Sequence, residues 1–198
     1  MIVLAAGKSS RFGRNKLLED LEGKTVIERV LKSCIDSQVD QTIVVLGFDN
    51  LRVKQQLSGH DCIFALNSNF EEGQSSSVKA GMSAISEQSE AVLITPGDVP
   101  LITPEQINEV IFNYRKSGFN ILVASHKGGI GHPILFDRAL FPEISQISEK
   151  KLGLREVTTR HRGEIRRVEV ESEGVLRDID TEEEFRNVKG ILGKEGSE

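Results

Sequence analysis

Tryptophan is absent from this 198-residue chain, tyrosine occurs once, cysteine twice and proline five times. The two cysteines, Cys34 and Cys62, show no metal-ligand spacing. Each sits in an apolar pattern and reads as a buried thiol, which suits a reducing, cytoplasmic compartment. No apolar run approaches the ~20 residues that cross a bilayer, and no secretory leader precedes the first strand pattern. Positive charge is also scarce. Lys and Arg number 25 against 30 Asp and Glu, a formal net charge of −5, which excludes a general nucleic-acid or membrane-surface binder. Any cationic site must therefore be local. No Ser-His-Asp or Cys-His arrangement offers a nucleophile, so covalent catalysis is not indicated. At 38% hydrophobic and 28% charged residues, positions 1–198 suit one domain with a real core, and the polar stretch 193–198 is expected to fray.

Basic residues do concentrate in one place. Leu4 to Lys16 (LAAGKSSRFGRNK) holds Lys8, Arg11, Arg14 and Lys16, no acid, and the glycines Gly7 and Gly13. It follows the short apolar run Met1 to Leu4, which reads as a strand. A strand feeding a small-residue basic loop suits a polyanion, because main-chain N–H groups can approach phosphates while fixed cations neutralise them. Two commoner phosphate motifs fail. A P-loop needs glycine five positions before Gly7, where Ile2 stands, and the dinucleotide fingerprint needs glycine where Ser9 stands. On composition alone a solvated basic turn fits equally well.

Downstream, strand and helix patterns alternate. Helical stripes cover Thr25–Ser37, Asn50–Ser58, Ser76–Ser86 and Thr103–Lys116, the last opening with Thr103 as N-cap, Pro104 at N1 and Gln106 at N3. Strand patterns cover Gln41–Gly47, Cys62–Leu66, Ala91–Thr95 and Asn120–Ser125. This rhythm predicts a three-layer α/β domain with a mostly parallel sheet. Beyond Ser125 the pattern predicts strands at Gly131–Phe136, Ile165–Val170 and Arg177–Asp180, a mainly helical stretch Arg138–Arg162, and a closing helix Thr181–Leu192.

Four further segments could carry chemistry. Asp98 follows a buried strand on a Pro/Gly turn, and ligands in open α/β sheets sit beyond the carboxyl ends of strands. One such carboxylate plus phosphate oxygens suits Mg²⁺, although a turn aspartate bonding its own backbone is the plainer reading. Glu72–Met82 (EGQSSSVKAGM) offers serine hydroxyls at a helix start. Gly131-His132-Pro133 places a histidine on a strand, since the residue before proline avoids helix. In Asp178-Ile179-Asp180-Thr181, strand alternation puts both aspartates on one face, and Asp180 or Thr181 can cap the last helix.

The loop L-A-A-G-x-S-x-R-x-G-x-x-K resembles the signature of the nucleotidyltransferases related to molybdenum cofactor cytidylyl- and guanylyltransferases (the MobA/MocA-like NTP transferases). Phe12 replaces the usual methionine. The resemblance implies a Rossmann-like, GT-A-like nucleotidyltransferase fold and a Mg²⁺-dependent transfer of CMP from CTP to a phosphomonoester, with pyrophosphate released. It implies triphosphate contacts from Arg11 and Lys16 and a nucleotide cradle of Leu4, Ala5, Ala6, Gly7 and Ser9, with Lys8 and Arg14 adding only local potential. It implies base and ribose contacts from Gly73, Ser75 and above all Ser77. Metal ligation falls to Asp98 with Asp178 or Asp180, and acceptor contacts to His132 and Arg155. Ala6 matches the cytosine users, whereas guanine users tend to have L-A-G-G. The implied acceptor is a molybdopterin-type cofactor, with a recipient oxidoreductase downstream and neither nucleic acid nor membrane as partner. Two departures stand out: Val99 replaces the usual glutamine, and Lys150–Arg155 keeps Gly153 and Arg155 of the family's G-D-x-G-A-R but has Lys151 for the acid. A GTP-dependent guanylyltransferase and a non-catalytic nucleotide-binding regulator are the alternatives.

Overall fold

The computed structural model describes residues 1–195. Its centre is one seven-stranded sheet. The strands are β1 (Ile2–Ala5), β2 (Ile43–Leu46), β3 (Ile63–Leu66), β4 (Ala91–Pro96), β5 (Ile121–His126), β6 (Gly129–Asp137) and β7 (Ile165–Glu169). Their spatial order is β3-β2-β1-β4-β6-β5-β7. Strands β3, β2, β1 and β4 run parallel, β6 runs antiparallel to both its neighbours, and β7 is parallel to β5. The sheet is thus mixed and mostly parallel.

Helices cover both faces because the strands are apolar on both. Along β1, Val3 and Ala5 enter one core with α1 (Val26–Ile35), α2 (Asn50–Gln56), α4 (Pro104–Lys116) and α7 (Glu182–Glu195). Ile2 enters the other with α3 (Gln74–Met82), α5 (Phe141–Ile144) and α6 (Leu154–Arg160). Helices α1 and α4 start at capping boxes, Thr25 with Glu28 and Thr103 with Gln106, as the sequence predicted for α4.

Some expectations need correction. Helix α3 begins at Gln74, so Ser75, Ser76 and Ser77 lie inside its first turns instead of capping it; the N-cap is Gly73. Residues 177–180 form no strand. A 3-10 turn (Glu173–Leu176) precedes them, and they are held in extended form by the Ile179 N–H on the Asp98 carbonyl, 3.0 Å. Helix α7 runs to Glu195, past the expected end at Leu192, so 193–195 are helical; 196–198 lie outside the described residues. Cys34 is buried, but Cys62 is only half-buried.

Gly131 explains part of the G-H-P motif. A Cβ there would fall inside the contact radius of the Val175 carbonyl oxygen, so only glycine lets the 173–180 segment cross β6. Gly131→Ala should lower stability by about 1–3 kcal/mol through this overpacking. A urea midpoint equal to that of the parent would contradict the packing argument.

At the edge of the second core, His161 joins α5 to the turn before β7. Its Nε2 lies 3.0 Å from Glu143 and its Nδ1 2.9 Å from Glu164. Hydrogen bonds to Glu164 first and Glu143 second hold its pKa above the usual histidine value. A raised folded-state pKa gives stabilisation that is full below the unfolded value and fades as pH rises through the folded one. The urea midpoint of the parent should therefore exceed that of His161→Gln at acidic pH, and the gap should close on the alkaline side. A gap independent of pH would show that imidazolium pairing contributes nothing.

Candidate active site

The chain leaves β1 toward β2 on one side and reaches β4 on the other, so a crevice opens beyond the carboxyl ends of β1 and β4. A cavity of about 340 Å³ fills it, within the size range of small-molecule sites. A larger cavity of about 720 Å³ lies at the opposite ends of the strands, among Met1, Thr42, Cys62 and Ala91. The smaller one holds the convergent charges.

Its floor is the basic loop. Ser9 adopts a left-handed backbone (φ 52°), and the Phe12 and Gly13 N–H groups both donate to the Ser9 carbonyl, 2.9 and 3.2 Å. Phe12 anchors the loop by packing edge-on against Phe185 of α7, centroids 5.8 Å apart. This contact gives the aromatic ring at position 12 a packing partner. A Cβ at Gly7 would meet nothing within 4 Å, so the bare backbone serves no internal contact and faces open space. Asn15 then caps a 3-10 turn (Lys16–Leu18) and sets Lys16 inward.

Lys16 is the junction. Its Nζ lies 2.6 Å from Asp98 Oδ2 and 3.0 Å from Asp180 Oδ1, with 11% of its side chain exposed. Arg11 closes on the other oxygen of Asp180 at 2.7 Å. Burial pulls the Lys16 pKa down, but Asp98 and Asp180 outweigh it and hold the ammonium above its ordinary value. Burial raises the Asp98 pKa, and Lys16 offsets this only in part. Asp180 is pushed up by burial but brought below the ordinary value by Lys16 and Arg11. Asp180 is free for this work because Thr181 and Glu184 form the capping box of α7. Asp98 Oδ1 is buried and has no hydrogen-bond partner among the described residues. A buried, orphaned, anionic oxygen is the donor a hard cation takes.

The cavity wall brings together Leu4, Ala6, Gly7, Ser9, Arg11, Lys16, Gly73, Ser77, Asp98 and Asp180 of the expected set. Ala5 is outside it, because β-alternation turns its side chain into the first core. Ser75 is buried and its N–H donates to Glu149. Asp178 is exposed and is not part of the wall, although its charge still acts on Asp98. Among the described residues no group of three or more His, Cys, Asp or Glu is arranged for a metal. Arg155 is exposed on α6, and His132, although its Nδ1 is buried and unpartnered, does not reach the wall. Lys8 pairs with Glu71, and Arg14 with Glu19 and Glu182, so neither presents a free cation. Sequence reasoning passed over Phe70, Gln74, Ser10 and Pro96 in the wall, and Asn67 behind it. Asn67 and Pro96 had a signal, each standing at the carboxyl end of an expected strand, and Ser10 and Gln74 lie within the loop and the serine segment already singled out.

Comparison with known proteins follows the same lines. Residues 1–165 match the model of the MobA-like NTP transferase domain. The chain is 28% identical to the molybdenum cofactor cytidylyltransferase of Escherichia coli (strain K12), over 95% of this chain and 94% of that one. It is equally, 28%, identical to the purine catabolism protein PucB of Bacillus subtilis (strain 168), over 96% of each. The bifunctional protein GlmU of Synechococcus sp. (strain RCC307) is 29% identical over 74% of this chain, but the match spans only 32% of GlmU. Among solved structures, the Mycobacterium sp. strain JC1 homologue of Rv0371c superposes with a TM-score of 0.84 at 26% identity, covering 98% of this chain and 96% of that one. Rv0371c of Mycobacterium tuberculosis in complex with manganese shares the fold, with a TM-score of 0.80 at 23% identity and 96% of both chains covered. No helix among the described residues is long and apolar enough to cross a membrane.

Removing the central cation should be costly. Lys16→Met leaves Asp98 buried and uncompensated, and should destabilise the fold by about 2 kcal/mol, less than for a fully dry pair because the site is open to solvent. Urea unfolding checks this; a variant as stable as the parent would contradict the ion-pair account.

Proposed function

We propose a nucleotidyl transfer for this chain, which belongs to the MobA-like NTP transferase family: the CMP moiety of CTP passes to a phosphomonoester, with release of pyrophosphate. The observation that carries the reading is Lys16 bridging Asp98 and Asp180 in a cavity floored by a basic loop. In this reading Lys16 and Arg11 hold the triphosphate, and the bare backbone at Gly7 lets its oxygens approach main-chain N–H groups. Asp98, through its orphaned Oδ1, and Asp180 would hold Mg²⁺. The metal when bound supplies charge neutralisation of the phosphate oxygens. A phosphomonoester, with a second pKa near ~6, is largely a dianion at neutral pH and attacks phosphorus without a dedicated base. The protein's share is then positioning and preorganised charge.

The base is proposed to rest against Ala6, Gly73 and Ser77, and cytosine is favoured by the methyl group of Ala6 where guanine users tend to have glycine. The acceptor is proposed to be a molybdopterin-type phosphate, supported by the cytidylyltransferase relative from Escherichia coli. PucB, at the same identity, keeps other phosphomonoesters in the test panel. Pyrophosphate release should be measured with CTP and GTP in parallel, with Mg²⁺ and phosphomonoesters that include the pterin. CTP should give the faster release, and Asp98→Asn should lower it by roughly 10²–10³. Full activity of Asp98→Asn would refute the metal role, and nucleotide binding without turnover on any acceptor would favour a regulator.

A further inference from the structure

Behind Ser77 lies a hydrogen-bond network whose polarity is fixed by the main chain. Asn67, at the end of β3, is 5% exposed. Its Oδ1 accepts the main-chain N–H of Asn69 at 2.9 Å. A peptide N–H can only donate, so this contact decides which end of the amide is oxygen. The NH₂ end must then face the two serines, and it donates to Ser76 Oγ at 2.8 Å and Ser77 Oγ at 3.0 Å. Ser76 disposes of its own proton on the carbonyls of Asn69 and Gly73, 2.9 and 2.8 Å. Ser77 Oγ accepts from Asn67 but donates to nothing among the described residues, and Ser77 lines the cavity.

We infer that Asn67 is a positioning residue that commits the Ser77 hydroxyl to act as a donor toward the nucleobase. The inference rests on the proposed nucleotidyl transfer and adds a rule of selection. That donor is set against N3 of the base. Cytosine N3 is an acceptor, whereas uracil N3 carries a hydrogen; O2 accepts in both bases and O4 accepts in uracil, so N3 is the contact that discriminates for cytosine. The network therefore favours cytosine over uracil without any charged group at the base.

The test is the ratio of CTP to UTP affinity, measured by equilibrium binding with Mg²⁺ at pH 8. Asn67→Asp keeps the shape and still accepts from Asn69, but it now accepts from Ser77 and turns a serine lone pair to the base. The CTP preference should fall by about tenfold. Ser77→Ala should lower it by a similar factor, and adding Asn67→Asp to Ser77→Ala should change the ratio no further. Asn67→Ala, which frees the hydroxyl to rotate, should give a smaller loss and stands in if the buried aspartate prevents folding. Equal weakening of CTP and UTP, or a further shift in the Ser77→Ala background, would show a merely structural asparagine and overturn the inference. An unchanged ratio in Ser77→Ala would overturn it too. A parent protein that binds neither nucleotide would instead sink the nucleotidyl-transfer reading, and this inference with it.

Discussion

Everything at this site turns on one ammonium shared between two carboxylates. Lys16 comes from the loop after β1, Asp98 from the turn after β4, and Asp180 from the segment that leads into α7. Three stretches remote in sequence are thus tied at one point. Each is fixed by a separate device: Asn15 capping the turn of Lys16, the Ile179 N–H bonding the Asp98 carbonyl, and Thr181 with Glu184 capping α7. The pair is nearly buried, where charge interactions are strong and an unpaired charge is expensive.

That balance bears on the proposed chemistry. Lys16 and Arg11 are neutralised by Asp98 and Asp180. On the proposed reading the same four groups change partners, the cations turning to phosphate and the carboxylates to a divalent cation. Such an exchange keeps the local charge nearly constant, so phosphate and metal are best accepted together. Burial already holds the Asp98 pKa above its ordinary value, despite Lys16, and one of its oxygens is without a partner. The carboxylate is therefore poised for a second cation.

Much of this was legible in the sequence, for identifiable reasons. Parallel strands buried on both faces give continuous apolar runs, so Ala91–Thr95 announced β4 and placed Asp98 beyond its end. Local chemistry also reads directly, as Thr103-Pro104-Glu105-Gln106 showed for α4. What failed depended on tertiary contact. The strand expected at 177–180 is absent, because that segment answers to the Asp98 carbonyl and to the close passage at Gly131. The serines of 75–77 looked like caps, whereas Asn67, ten positions before Ser77, fixes the roles of Ser76 and Ser77. Lys8 and Arg14 added to the charge of the loop in sequence, yet their acidic partners, among them Glu71 and Glu182, neutralise them in space.

The most direct test of the central claim is anomalous diffraction from crystals grown with CTP and Mn²⁺. The account predicts a manganese peak beside the Asp98 carboxylate, with the triphosphate lying along residues 7–16 and its oxygens within reach of Lys16. A nucleotide bound in the cavity at the other end of the strands, or a manganese site remote from Asp98, would contradict it.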